Sequence, residues 1–162
     1  MERPARNSVG AALSPMPEAA TRLRDARARL AGAALVAATR RDPTLEERYD
    51  ALQFRTFLRD MDRHILRLAL ALEQGGVGPF TEYVGTLVPV FRRRRVPLED
   101  FATMLLGMLD AVSADLPRPE ADAAARIVEE GLGHLERPRH LPGDRRRNPV
   151  LAFLWKGAGV LD

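Results

Sequence analysis

The sequence predicts an all-α fold, a bundle of about five helices with extended N- and C-terminal arms. Three observations predict it. Apolar residues recur at spacings of three and four in five separate segments, the period of one helix face. No segment alternates apolar and polar residues with the period of two that marks a half-buried strand. Pro and Gly fall between the periodic segments and leave only short loops. The expected organisation is an arm over 1–16, a helical bundle over 17–136, and an Arg/Pro-rich linker with an apolar tail over 137–162.

Each helix has its own signals. Pro17 suits a first helical position and Glu18 suits the positive end of the helix dipole. Leu23, Leu30, Ala34 and Ala37 then share a face, and Asp42 before Pro43 ends the helix near Arg41. The segment "TLEE" at 44–47 reads as a capping box, with Thr44 as cap and Glu47 reaching back. Phe54, Leu58, Met61, Ile65, Leu68 and Leu72 form the stripe of the next helix, which "QGGVG" at 74–78 stops. Arg55, Arg59, Arg63 and Arg67 step by four along another of its faces.

Pro79 opens a third helix with Phe80, Tyr83, Leu87 and Phe91 as its stripe. Pro89 inside it removes the bond to Gly85 and predicts a kink. A fourth helix starts at Pro97, with Glu99 and Asp100 in its first turn. Its stripe is Leu98, Phe101, Leu105, Met108, Val112 and Leu116. A fifth runs from about Pro119 to Glu136 through Ala124, Ile127, Val128 and Leu135.

Composition narrows the function classes. The 162 residues suit one domain with a real core. Aromatics are only 6%, so Leu, Ala and Val must build most of the interior. The net charge is +3 although the pI is near 10.1, because nearly every cation is Arg. So small an excess argues against a dedicated nucleic-acid binder. With no cysteine, the chain can form no disulfide, thiolate metal site or Cys nucleophile. The opening residues lack a secretory h-region, and no stretch approaches the roughly 18 apolar residues of a membrane span. The expected location is the cytoplasm, with the inner membrane surface as the alternative.

Few residues carry candidate chemistry. Ser8, Ser14 and Ser113 sit in no nucleophile elbow, and "GGVG" at 75–78 has no strand before it to make a phosphate loop. His134 and His140 are not spaced as a helical ligand pair, so no metal site is expected. His64 is the best single site candidate. It lies in register with Phe57, Met61 and Leu68, one turn after Asp60, which could orient its ring. Such a His could ligate a tetrapyrrole metal, or it could be a boundary residue bonded to Asp60. The runs Arg92–Arg95 and Arg145–Arg147 could grip phosphates; the first also reads as charge complementing a helix C-terminus.

The closing segment is the most unusual. Val150, Leu151, Phe153, Leu154 and Trp155 follow directly on Arg145, Arg146 and Arg147, and Trp155 is the only Trp. This segment could fold back on the bundle, dock into a partner, or lie in a membrane interface with the arginines on acidic lipids.

The pieces "LRDMDRHILRLALALEQG", "PFTEYVGTLVPVFRRRRVPLEDF" and "LDAVSADLP" carry a resemblance. From about Phe57 to Leu135 the chain resembles the N-terminal helical module of bacterial cobalamin-binding sensor and regulator proteins. The D-x-H-x-x-G motif of their corrinoid domain does not occur in this sequence. The resemblance implies a helical sensor or interaction module, and Asp60, His64 and Tyr83 are its candidate ligand contacts.

The function expected is non-enzymatic: a regulatory or accessory subunit that docks a protein partner or larger assembly through Arg145–Arg147, Val150, Leu151, Phe153, Leu154 and Trp155. Self-association is a further option. No cofactor is expected. The alternatives are a tetrapyrrole sensor built on His64 and a peripheral membrane protein.

Overall fold

The computed structural model describes residues 12–136. The expectations for 1–11 and for 137–162, the Arg145–Trp155 segment included, lie outside the described residues. Within them the protein is all-α: α1 Pro17–Arg41, α2 Leu45–Arg48, α3 Ala51–Gln74, α4 Gly78–Arg93, α5 Leu98–Asp115 and α6 Arg118–Glu136. Five are the long helices that the apolar period predicts, and α2 is a single extra turn.

The helix α1 lies against both α3 and α5. It runs antiparallel to α3. Met16 N–H donates to Leu72 O at one end (2.8 Å), and Arg27 pairs with Asp62 further along. Residues 12–16, assigned to the arm on sequence grounds, therefore rest on the end of α3. The row Ala31, Ala34 and Ala38 brings α1 close to α5 at Gly107. The helix α6 closes the bundle against α4 and α5, and Gly131 lies against the Phe80 ring.

The stripe of α5 is buried along its whole length, from Leu98 to Val112 and on to Leu116 just past the helix. Stacked Phe91 and Phe101, with ring centroids 4.1 Å apart, sit at the centre. The arginines of α1 answer acids on its neighbours. Arg24 pairs with Glu73, Arg29 with Asp115, and Arg41 grips Asp110 through two bonds of 2.6 and 2.8 Å. Exposed pairs of this kind are screened by water and add little stability.

Two local expectations need correction. Thr44 does not cap: its hydroxyl donates to Asp42 Oδ1 at 2.6 Å and accepts from Arg48 Nη1 at 2.6 Å, so its oxygen meets a side chain instead of the backbone N–H groups of the turn. The capping box stands six residues later. Asp50 accepts from Gln53 N–H (2.8 Å), and the Gln53 side chain accepts from Asp50 N–H (2.9 Å). The stripe of α3 is also rotated. Phe57, Met61, His64, Ile65, Leu68 and Leu72 are buried, while Phe54 is half-buried and Leu58 is exposed. In α4 the buried set is Phe80, Val84, Val88 and Phe91, with Tyr83 and Leu87 half-buried.

Two helix ends fix the turns beside the candidate sites. Gly75 closes α3 at φ 68°, with Gly76 N–H returning to Ala71 O. Arg95 closes α4 at φ 57°, and Val96 N–H returns to Phe91 O at 3.0 Å. A non-glycine in the left-handed region is disfavoured by roughly 1–2 kcal/mol. The bonds of this turn and the burial of Val96 hold Arg95 there.

Candidate functional site

Two places on the bundle have features that the fold alone does not need. The first is His64 on α3, which is only 1% exposed. Its ring meets Tyr83 of α4, with centroids 5.6 Å apart, and Phe101 of α5 at 5.5 Å. Nδ1 and the Tyr83 hydroxyl share a hydrogen bond of 2.8 Å. Nε2 has no hydrogen-bond partner within the protein. If Tyr83 donates to Nδ1, the orphan is an N–H. If Nδ1–H donates, the orphan is a lone pair. Either costs about 1–3 kcal/mol when buried.

The surroundings keep the ring neutral. Burial, with the positive Arg63 and Arg94 nearby, pulls the His64 pKa down to about 3. Burial and the negative Asp60 push the Tyr83 hydroxyl up to about 12, against the pull of Arg67 and Arg63. Arg67 also lies over the Tyr83 ring, 5.3 Å from its centroid.

Asp60 does not orient His64. It accepts from Arg94 Nη1 at 2.6 Å across the α3–α4 interface. The bland sequence reading, a boundary histidine held by Asp60, is therefore corrected on both counts: the ring is interior and its partner is Tyr83. Arg94 belongs to the run at 92–95, and its bond to Asp60 ties that run back to the bundle.

A tetrapyrrole fits this place poorly. To reach Nε2, a macrocycle would have to part α3, α4 and α5, since Tyr83 and Phe101 wall the ring. Among the described residues, no three His, Asp or Glu side chains converge as metal ligands do.

The buried ring makes a pH prediction. The folded value, about 3, lies below the ordinary 6.5, so the unfolded chain binds the proton that the native ring refuses. The stability this group contributes is fully present above about pH 6.5 and is lost as pH falls toward 3. The expected slope is about 1.4 kcal/mol per pH unit over that window. His64→Asn keeps a partner for Tyr83 without a titrating group, and it should flatten that slope in urea unfolding measured at pH 7, 6 and 5. Equal slopes in both proteins would refute the neutral, buried ring.

The second place is a groove of about 490 Å³ at the other end of α1 and α3. Leu35, Tyr49, Phe54 and Leu58 form its apolar lining, with Glu46 and Arg55 on its rims. Of the exposed large apolar residues of the described chain, Leu58 (40% exposed) lies in the groove itself. With half-buried Leu35, Tyr49 and Phe54 beside it, the groove offers an apolar floor to solvent.

A buried polar network shapes this groove. The carboxylate of Asp100, in the first turn of α5, is fully buried. It accepts from Arg48 Nη2 (2.7 Å) and from the Tyr49 hydroxyl (2.5 Å). Arg48 also reaches Asp42 at 3.2 Å. Burial and the Asp100 carboxylate push the Tyr49 hydroxyl well above its ordinary pKa. The Tyr49 ring stands edge-on to Phe57, with centroids 4.9 Å apart. Through Asp100, the α2 turn and Tyr49 are pinned against α5.

Nothing in the sequence flagged this second place. Leu58 was assigned to the core stripe, and Arg48, Tyr49 and Asp100 carried no motif. The Asp50–Gln53 spacing, an acid three residues before a Gln, was the signal that could have shown a helix starting anew after α2. Among the described helices, none is long and apolar enough to cross a membrane. The chain matches no family model, curated protein or solved structure.

Proposed function

We propose that the protein is a non-enzymatic helical accessory or regulatory subunit. It acts by docking another protein through its C-terminal segment. Arg145–Arg147 steer the encounter, and Val150, Leu151, Phe153, Leu154 and Trp155 form the anchor.

One observation carries the reading. Most large apolar side chains of the described helices are buried, with Phe80, Phe91 and Phe101 wholly inside. The chain then adds five more large apolar residues within positions 150–155, directly after three arginines. Clustered aromatic and aliphatic side chains of this kind are what an interface uses as hot spots. The tetrapyrrole alternative is not carried further, because His64 has no open face.

The test is paired purification from the native host, with the full chain beside a 148–162 deletion. The deletion should keep its helical circular dichroism and lose a protein that the full chain retains in a fixed ratio. A co-purifying protein held equally by both would refute docking through this segment.

A further inference from the structure

The groove between α1, α2 and α3 needs an occupant, and the chain supplies one. We infer that residues 150–155 of the same chain lie in this groove when no partner holds them, with Arg145–Arg147 toward Glu46 on its α2 side. This rests on the docking reading above and adds a regulation to it: the anchor is stored on the protein's own body until a partner displaces it.

Three observations point to that occupant. The first is chemistry. The lining is apolar and aromatic, Leu35, Tyr49, Phe54 and Leu58, and the segment presents Val150, Leu151, Phe153, Leu154 and Trp155. The second is charge. Glu46 and Glu47 on α2 are exposed and make no ion pair among the described residues, while most acids facing α1 are paired. Three arginines immediately before the apolar run complement them.

The third is reach. The end of α6 is near the start of α4, because Gly131 lies against Phe80 and Val84. That end of the bundle is also where Met16 meets Leu72. From Leu72 to Phe54 along α3 is about 27 Å at 1.5 Å per residue. Residues 137–149 can span up to about 43 Å at 3.3 Å per residue. The segment therefore reaches the groove of its own chain. A linker of this length holds it there at an effective concentration on the order of millimolar, above that of a second copy in solution.

Trp155 reports the outcome directly, because the chain has no other Trp. In the purified full chain its emission should be blue-shifted and shielded from iodide, at every protein concentration tested. Leu58→Glu, at an exposed position, should red-shift the emission to that of a water-exposed indole, with helical circular dichroism unchanged. Ala51→Glu, at an exposed position of the lining, should act in the same direction, and high salt should weaken the shielding. A water-exposed emission in the unaltered chain would overturn the inference. So would a blue shift that neither groove variant moves, or one that disappears on dilution and therefore belongs to a second copy. The two readings fail separately: if Trp155 is solvated but the 148–162 deletion still loses the partner, the store is wrong and the anchor stands; if Trp155 is shielded and the groove variants release it, but full chain and deletion hold the same partner equally, the store stands and the anchor is wrong.

Discussion

Replacing Asp100 with Ala is expected to cost about 1–3 kcal/mol of folding stability. Its carboxylate is fully buried and accepts from Arg48 and Tyr49. Removing it leaves the half-buried Tyr49 hydroxyl without its acceptor and takes from Arg48 one of its two carboxylate partners. Arg48 itself is exposed and keeps Asp42, so the cost comes from the lost hydrogen bonds of a buried acceptor rather than from a stranded charge. Small domains are stable by only about 5–15 kcal/mol, so the loss is a large part of the total. Tyr49→Phe removes one bond and no charge, and should cost about 1 kcal/mol. Urea unfolding of the three proteins at pH 7 checks the order. An Asp100→Ala protein as stable as the unaltered one would show that the network does not hold α2. The damage should also reach the groove, since Tyr49 and Glu46 sit on the turn that Asp100 pins.

The second large effect is expected at Gly107. A Cβ there would stand 2.6 Å from Ala34 O, 2.6 Å from Ala38 N and 2.8 Å from Ala38 Cα. All three are backbone atoms, so no side chain can swing away. In an isolated helix, Gly→Ala would help by about 1 kcal/mol. Here overpacking opposes it by about 1–3 kcal/mol or more, and the separation of α1 from α5 would loosen one of the two main contacts of α1. The expected result is net destabilisation by Gly107→Ala and failure to fold for Gly107→Val. Gly85, on the exposed face of α4, has open space around its Cβ position. Gly85→Ala should therefore be neutral or stabilising, by up to about 1 kcal/mol. If the two alanine variants gave the same thermal midpoint, the backbone contact between α1 and α5 would be wrong.

Gly107 and Asp100 also show where sequence reading stops. The stripe of α5 was fully legible, from Leu98 to Leu116, because one clean apolar face meets one core. The end of α1 and the span of α6 were legible from Pro17, Asp42–Pro43 and the Ile127–Leu135 period. The break between α2 and α3 was not. No Gly or Pro stands at Tyr49 or Asp50, and the turn is set by a carboxylate 52 positions away from Arg48. The phase of α3 was misread because apolar residues lie on two of its faces. Packing against α4 and α5 decided for Phe57 and His64, leaving Leu58 outside.

The candidate site was legible in its members but not in its bonds. Asp60, His64 and Tyr83 do lie together, near the α3–α4 interface. Their partners follow from the α3–α4 packing rather than from spacing along one helix: His64 with Tyr83, 19 residues on, and Asp60 with Arg94, 34 residues on. The groove was invisible for the same reason. Its lining comes from three helices, and each of its residues taken alone reads as core or surface.

The proposed anchoring of another protein by residues 145–155 is read by placing p-benzoylphenylalanine at Phe153 in the native host and irradiating living cells. The account predicts a covalent adduct with a second protein species, lost when Arg145–Arg147 are changed to Glu, beside internal cross-links from the unoccupied pool. Adducts confined to the protein's own chain, or to lipid alone, would contradict it.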